Sequence, residues 1–161
     1  MQDDRIASLS ALAEILLSRN MKIVTAESCT GGGIASAITD LPGSSGWFEC
    51  GFVTYSNEAK IRYLDVAPTT IEQSGAVSEQ TVRAMVSGAV NNSLGDIAVA
   101  VSGVAGPGGG SVDKPVGTVW FAWGNAEHQI TECCHFDGDR HAVREQAIDQ
   151  GIRGLCRWLS C

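Results

Sequence analysis

Three short polar stretches carry the side chains of this chain that are best suited to chemistry: Glu27–Gly33 (ESCTGGG), Thr54–Lys60 (TYSNEAK) and Ser102–Pro115 (SGVAGPGGGSVDKP). Each follows an apolar, β-prone run, so each sits where a strand should end. Ligands of open α/β sheets bind beyond such ends. In the first stretch, Ser28 and Cys29 precede three glycines and a helix-like run, IASAI. Glycines admit a ligand close to the backbone, and a helix start offers unpaired N–H groups with a partial positive charge. That combination can hold a phosphate or stabilise an oxyanion. It matches neither GxGxxG, nor a P-loop, nor the GxSxG elbow. On spacing alone, Ser28 or Thr30 reads as a helix cap, with a nucleophilic serine as the alternative. Cys29 is a rival nucleophile, although its more ordinary reading is a buried small side chain. Glu27 reads as a structural partner rather than an acid catalyst.

The second stretch supplies Tyr55, Asn57 and Lys60. A helix starting at Ser56 or Asn57 would put Lys60 in its first turn, where a positive charge is disfavoured and the amine's pKa falls. A neutral amine can serve as a general base, although Glu58 opposes the shift. Standing alone, Lys60 reads as a solvated surface lysine, and Tyr55 as a half-buried aromatic with its hydroxyl at the surface. The third stretch holds five glycines between Gly103 and Gly110, more flexibility and length than a structural connection inside a compact domain needs. Ser102 either meets a substrate or satisfies local backbone. Lys114 is expected to be solvated. Arg140, in DGDRHAVR, falls at the first position of a helix capped by Asp139, where a cation gains nothing from the helix dipole. Phosphate binding and a salt bridge are its two readings. His135 and His141 lack metal-ligand spacing and read as surface residues.

These loops need a scaffold. Residues 4–19 place Ile6, Leu9, Leu12 and Leu16 at helical spacing, predicting a helix with one buried face. A short buried strand follows over 23–25, then a helix over 33–39 and a strand over 47–56. A helix over 57–64 stops before Pro68, and another, capped by Ser78, turns Val82, Met85, Val86, Ala89 and Val90 to one side. DIAVAVSG reads as a strand covered on both faces. Two further strands, GTVWFAW and HQITECCHF, are joined by GNAE as a hairpin, and a helix closes the chain from about Asp139 to Leu159. Helices alternating early with strands, followed by a late hairpin, predict a three-layer α/β/α sandwich with a mixed sheet. The expected organisation is a single domain over residues 1–161.

Composition narrows the class further. With 44% apolar and 18% charged residues in 161, the chain suits a globular protein with a sizeable core. No apolar run is long enough to cross a bilayer, and the acidic, amphipathic N-terminus is not a signal peptide. A net charge of −7 argues against a nucleic-acid face, leaving room for a small anion only where a few basic residues gather. The six cysteines at 29, 50, 133, 134, 156 and 161 show no zinc-site spacing. They read as reduced cytoplasmic thiols, mostly core filler.

Taken together, TAESCTGG, GSSGWFECGFVTYSNEAK, GAVSEQTV, VSGVAGPGGGS, KPVGTVWFAW and FDGDRHAVREQA resemble the C-terminal domain of the competence/damage-inducible (CinA) proteins, in its stand-alone amidase form. The resemblance spans about residues 6–159. It implies an anticodon-binding-domain-like α/β/α fold, commonly dimeric, that hydrolyses the carboxamide of nicotinamide mononucleotide (NMN) to nicotinate mononucleotide and ammonia. That reaction serves pyridine nucleotide (NAD) salvage, with no cofactor and no metal. By motif, Ser28 would be the nucleophile and Lys60 its base, with Tyr55 orienting or assisting the pair. Thr30, Gly31, Gly32, Ser102, Gly106 and Arg140 would bind substrate, Ser102 standing where many relatives carry threonine. Two rivals stay open: a catalytically silent nucleotide-binding module of the same fold, and a cysteine amidase using Cys29. A role in DNA uptake or repair finds no support in so acidic a chain.

Overall fold

The computed structural model describes residues 2–161; Met1, the first residue of the expected N-terminal segment, lies outside them. Five strands form one sheet in the order β2-β1-β3-β4-β5. They are β1 (Ile23–Glu27), β2 (Phe48–Val53), β3 (Ile97–Gly103), β4 (Thr118–Gly124) and β5 (Gln129–His135). β1 is central and runs parallel to both β2 and β3, whereas β4 and β5 are antiparallel additions. The sheet is therefore mixed, as the late hairpin predicts. The chain leaves β1 toward β2 on one side and returns to β3 on the other. A crevice opens beyond the carboxyl end of β1 wherever strand order switches in this way.

Side chains alternate across a strand, and the two faces here are built differently. Odd positions of β3 and β4 (Val99, Val101, Phe121 and Trp123) are large. They meet α1 (Gln2–Ser18), α2 (Gly33–Thr39) and α6 (Arg140–Leu159) through Leu9, Leu12, Leu16, Ile34, Ile38, Ile152 and Leu155. On the other face four alanines, Ala26, Ala98, Ala100 and Ala122, pack with Val24 against Leu64 of α3 (Asn57–Leu64) and Val82, Met85, Val86 and Ala89 of α5 (Glu79–Asn91). Small residues on this face let α5 lie close to the sheet. Ser56, Ser78 and Asp139 cap α3, α5 and α6, each accepting from the backbone N–H three residues on.

The structure corrects several sequence expectations. Pro68 does not merely follow a helix stop. It opens a further helix, α4 (Pro68–Ser74), because its fixed φ suits the first helical position and its missing N–H is not needed there. β1 runs two residues further than expected, its neighbours on both sides continuing the ladder to Glu27. Ile6 is half exposed, so the buried stripe of α1 is Leu9, Leu12 and Leu16. Of the six cysteines only Cys29 and Cys156 are buried; three are intermediate and Cys161 is exposed.

One contact positions the site. A Cβ on Gly88 of α5 would lie 1.8 Å from the Leu64 carbonyl oxygen, so the end of α3 rests directly on α5 at a point where any side chain would intrude. Gly88→Ala must push α3 off its seat, and backbone cannot yield as a flexible side chain would. We expect a loss of about 3 kcal/mol, the upper range for overpacking, read as a lower urea midpoint at unchanged m.

Candidate active site

Lys60 lies on the fourth residue of α3 and points inward toward the end of β1, where it is 1% exposed. Its Nζ stands 2.9 Å from Ser28 Oγ, 2.8 Å from the Thr54 carbonyl oxygen and 3.2 Å from that of Tyr55. Ser28 Oγ is itself 3.3 Å from the Tyr55 oxygen. Two residues 32 apart in the chain thus meet where β1 and β2 end. Burial lowers the Lys60 pKa to about 8, since removal from water disfavours the charged amine. Among the described residues no carboxylate forms an ion pair with it to reverse that shift. The expected helix-dipole cause gives way to desolvation, and the solvated-lysine reading fails.

The Ser28 turn is held from behind. Glu27, fully buried, accepts from Thr30 Oγ1 at 2.6 Å and from the backbone N–H groups of Ile34 and Ala35 at 2.8 and 3.0 Å. The carboxylate, rather than Ser28 or Thr30, therefore satisfies the start of α2, whose N-cap is Gly32 with no side-chain bond. A negative charge already occupies the positive end of that helix. Ser28 N–H donates to Val101 O, Gly31 N–H to Ser28 O and Gly33 N–H to Thr30 O, each at 3.0 Å. Within the turn, the N–H groups of Cys29 and Thr30 make no backbone hydrogen bond among the described residues. Burial pushes the Cys29 thiol up to about 11, which leaves little of the reactive thiolate at neutral pH.

In front of this turn lies a cleft of about 320 Å³, lined by Ser28, Cys29, Lys60, Ser102, Arg140 and the Gly103–Gly106 segment, among others. Arg140 bridges the other two polar stretches, its Nη1 donating to Gly106 O at 2.8 Å and its Nη2 to Tyr55 Oη at 3.0 Å. Gly106 must be glycine, with φ +86° and a Cβ position 2.5 Å from Val116. Neither Arg140 partner is a carboxylate, so among these contacts no ion pair offsets the guanidinium at the mouth of the cleft.

Ser28, Tyr55, Lys60, Ser102, Gly106 and Arg140 therefore converge on the cleft, and Thr30, Gly31 and Gly32 do not line it. Thr30 is fully buried on Glu27. Gly31 and Gly32 lie behind the turn, where their Cβ positions would face Arg144 and Val53 at 3.4 Å. Tyr55 is 60% exposed, not half-buried. Its carbonyl touches the Ser28–Lys60 pair, and its phenol is engaged by Arg140. Lys114, expected to be solvated, donates to Ser74 O at 2.7 Å. His135 and His141 are exposed, as read. The sequence reading missed the carbonyls of Thr54 and Tyr55, which no residue type reveals. It also missed Arg144, whose position four residues after Arg140 on a capped helix was the available signal.

The profile of the CinA C-terminal domain matches residues 6–159. A Pseudomonas putida protein named nicotinamide-nucleotide amidohydrolase PncC is 56% identical over 153 residues, covering 94% of this chain and 96% of that protein. The Escherichia coli K12 protein of the same name is 50% identical over 157 residues, covering 96% and 95%. The crystal structure of a CinA superfamily protein from Klebsiella pneumoniae 700603 superimposes with a TM-score of 0.92 at 38% identity, over 97% of this chain and 98% of that one. That of an Agrobacterium tumefaciens competence/damage-inducible protein gives 0.86 at 38%, over 96% of each. With the sheet order, the polar loops and these likenesses in agreement, the chain belongs to the CinA C-terminal domain family.

Proposed function

We propose that this chain is an amidohydrolase that converts NMN to nicotinate mononucleotide and ammonia, with Ser28 as nucleophile and Lys60 as general base. One observation carries the reading: a buried amine of lowered pKa lies 2.9 Å from a serine hydroxyl at the floor of an open cleft. The names of its close relatives supply the substrate. A serine hydroxyl attacks poorly until a base takes its proton. Neutral Lys60 has two N–H bonds, and the Thr54 and Tyr55 carbonyls accept them. The remaining lone pair is then aimed at Ser28.

The steps follow from that geometry. Lys60 takes the Ser28 proton as Oγ bonds to the carboxamide carbon. The Cys29 and Thr30 N–H groups receive the oxyanion, an effect typically worth about 3–4 kcal/mol. Lys60 returns the proton to the departing nitrogen, and the carbon–nitrogen bond breaks to release ammonia. Water, deprotonated by Lys60, then opens the acyl-enzyme, and Ser28 recovers its proton. The phosphate belongs with Arg140 and the Gly106 loop rather than at the start of α2, because Glu27 has already filled that anion site. Return of NMN to NAD synthesis, a cytoplasmic location, a single amidase domain over 1–161 and a homodimer complete the proposal. None of the described helices is long and apolar enough to cross a membrane.

Ser28→Ala should lower ammonia release from NMN at least about a thousandfold, and Lys60→Ala should do likewise while nucleotide binding persists. Cys29→Ala, which keeps the backbone N–H, should stay within a few-fold of wild type. Wild-type binding without turnover would instead favour a silent nucleotide-binding module. Because the working amine is the neutral one, kcat/KM should climb as pH rises through about 8 and flatten above it; a flat profile across that range would remove Lys60 as the base.

Arg140→Ala should raise KM for NMN roughly tenfold or more, the worth of a charge-assisted contact, with a smaller change for the riboside lacking phosphate. Equal losses on both would place the phosphate elsewhere.

A further inference from the structure

Arg144, one turn beyond Arg140 on α6, makes a two-pronged contact with the back of the Ser28 turn. Its Nε donates to Cys29 O and its Nη2 to Thr30 O, both at 3.1 Å. The two carbonyls belong to the peptide groups whose N–H ends are Thr30 and Gly31. The turn is tight there, since a Cβ on Gly31 would come within 3.4 Å of Arg144 Nη2. No carboxylate among the described residues pairs with Arg144 in the salt bridges of the fold.

From this arrangement we infer that Arg144 is a positioning residue for the oxyanion site, acting through the Cys29–Thr30 peptide rather than by touching substrate. Two effects combine. A planar guanidinium binding two successive carbonyls fixes the rotation of both peptide planes, which a single point charge cannot do. Holding the carbonyls toward α6 turns the Thr30 N–H the opposite way, toward the nucleophile. The positive charge at the oxygen end of a peptide also polarises its N–H, as in a hydrogen-bonded chain whose members strengthen one another. The Thr30 donor thereby meets developing negative charge already oriented and polarised. Gly31 N–H, at the other held peptide, closes the turn on Ser28 O. Glu27 and Arg144 divide the work: the carboxylate anchors N–H groups inside α2, and the guanidinium anchors carbonyls outside it.

The inference rests on the amidase reading, so wild type and Ser28→Ala are assayed alongside the Arg144 variants. In steady-state ammonia release from NMN, Arg144→Met should lower kcat about ten- to a hundredfold, less than complete removal of an oxyanion donor. KM should stay within about threefold, and the rise of activity near pH 8 should not move. Arg144→Lys, with charge but only one point of attachment, should fall between wild type and Arg144→Met. Thermal unfolding of each variant checks that the comparison is made on folded protein; if Arg144→Met fails to fold, Arg144→Lys decides. Unchanged kcat in whichever variant decides, or a KM that rises as far as kcat falls, overturns the inference. Absence of wild-type turnover, by contrast, overturns the amidase reading itself.

Discussion

A buried amine that gives up its charge more readily than an ordinary lysine is the constraint on which the site depends. Lys60 is taken out of water and given two carbonyl oxygens but, among the described residues, no carboxylate, so the protein fixes its direction while loosening its hold on the proton. That state has to be imposed by the surrounding fold. A long flexible side chain is brought inward only because α3 ends on α5 at Gly88 and begins at a serine cap immediately after β2. The alanine-lined face of the sheet brings both helices close enough for the reach. Much of the packing on that side serves to hold one nitrogen in a dry place.

The opposite side of the sheet handles charge differently. Glu27 is as buried as Lys60, yet three donors surround it. It is a structural anion that consumes the attractive end of α2, an end that in many α/β proteins receives a ligand's phosphate. The consequence is a division of the cleft. The start of α2 is already occupied by Glu27, and the cations sit on α6 instead, Arg144 at the back of the Ser28 turn and Arg140 at the mouth of the cleft.

Much of this was legible before any coordinates. Strand–helix alternation, the serine and aspartate caps and the all-apolar β3 run are local signals, and local signals gave the right elements. Helices over 33–39 and 57–64 came out at their observed bounds. Pro68 was misread because proline marks both the stop of one helix and the first turn of the next. In the site, residue types at strand ends picked out Ser28, Lys60, Ser102 and Arg140 as worth weighing, but spacing alone favoured bland roles for the first two. The family resemblance paired them, and the structure adds that they lie 2.9 Å apart. Backbone carbonyls, the depth of Lys60 and the way Thr30 turns inward to Glu27 are products of tertiary contact and leave no mark on a single sequence.

The two arginines of α6 have a mechanical corollary. They stand four residues apart, about 6 Å of helix rise. One grips the Ser28 turn through Cys29 and Thr30; the other grips the glycine-rich loop through Gly106. Loops that would otherwise drift separately are pinned to one stiff rod, so the chamber has a set gauge from end to end. Any force that slides or rolls that rod must reset both jaws together, as in a caliper, never one at a time.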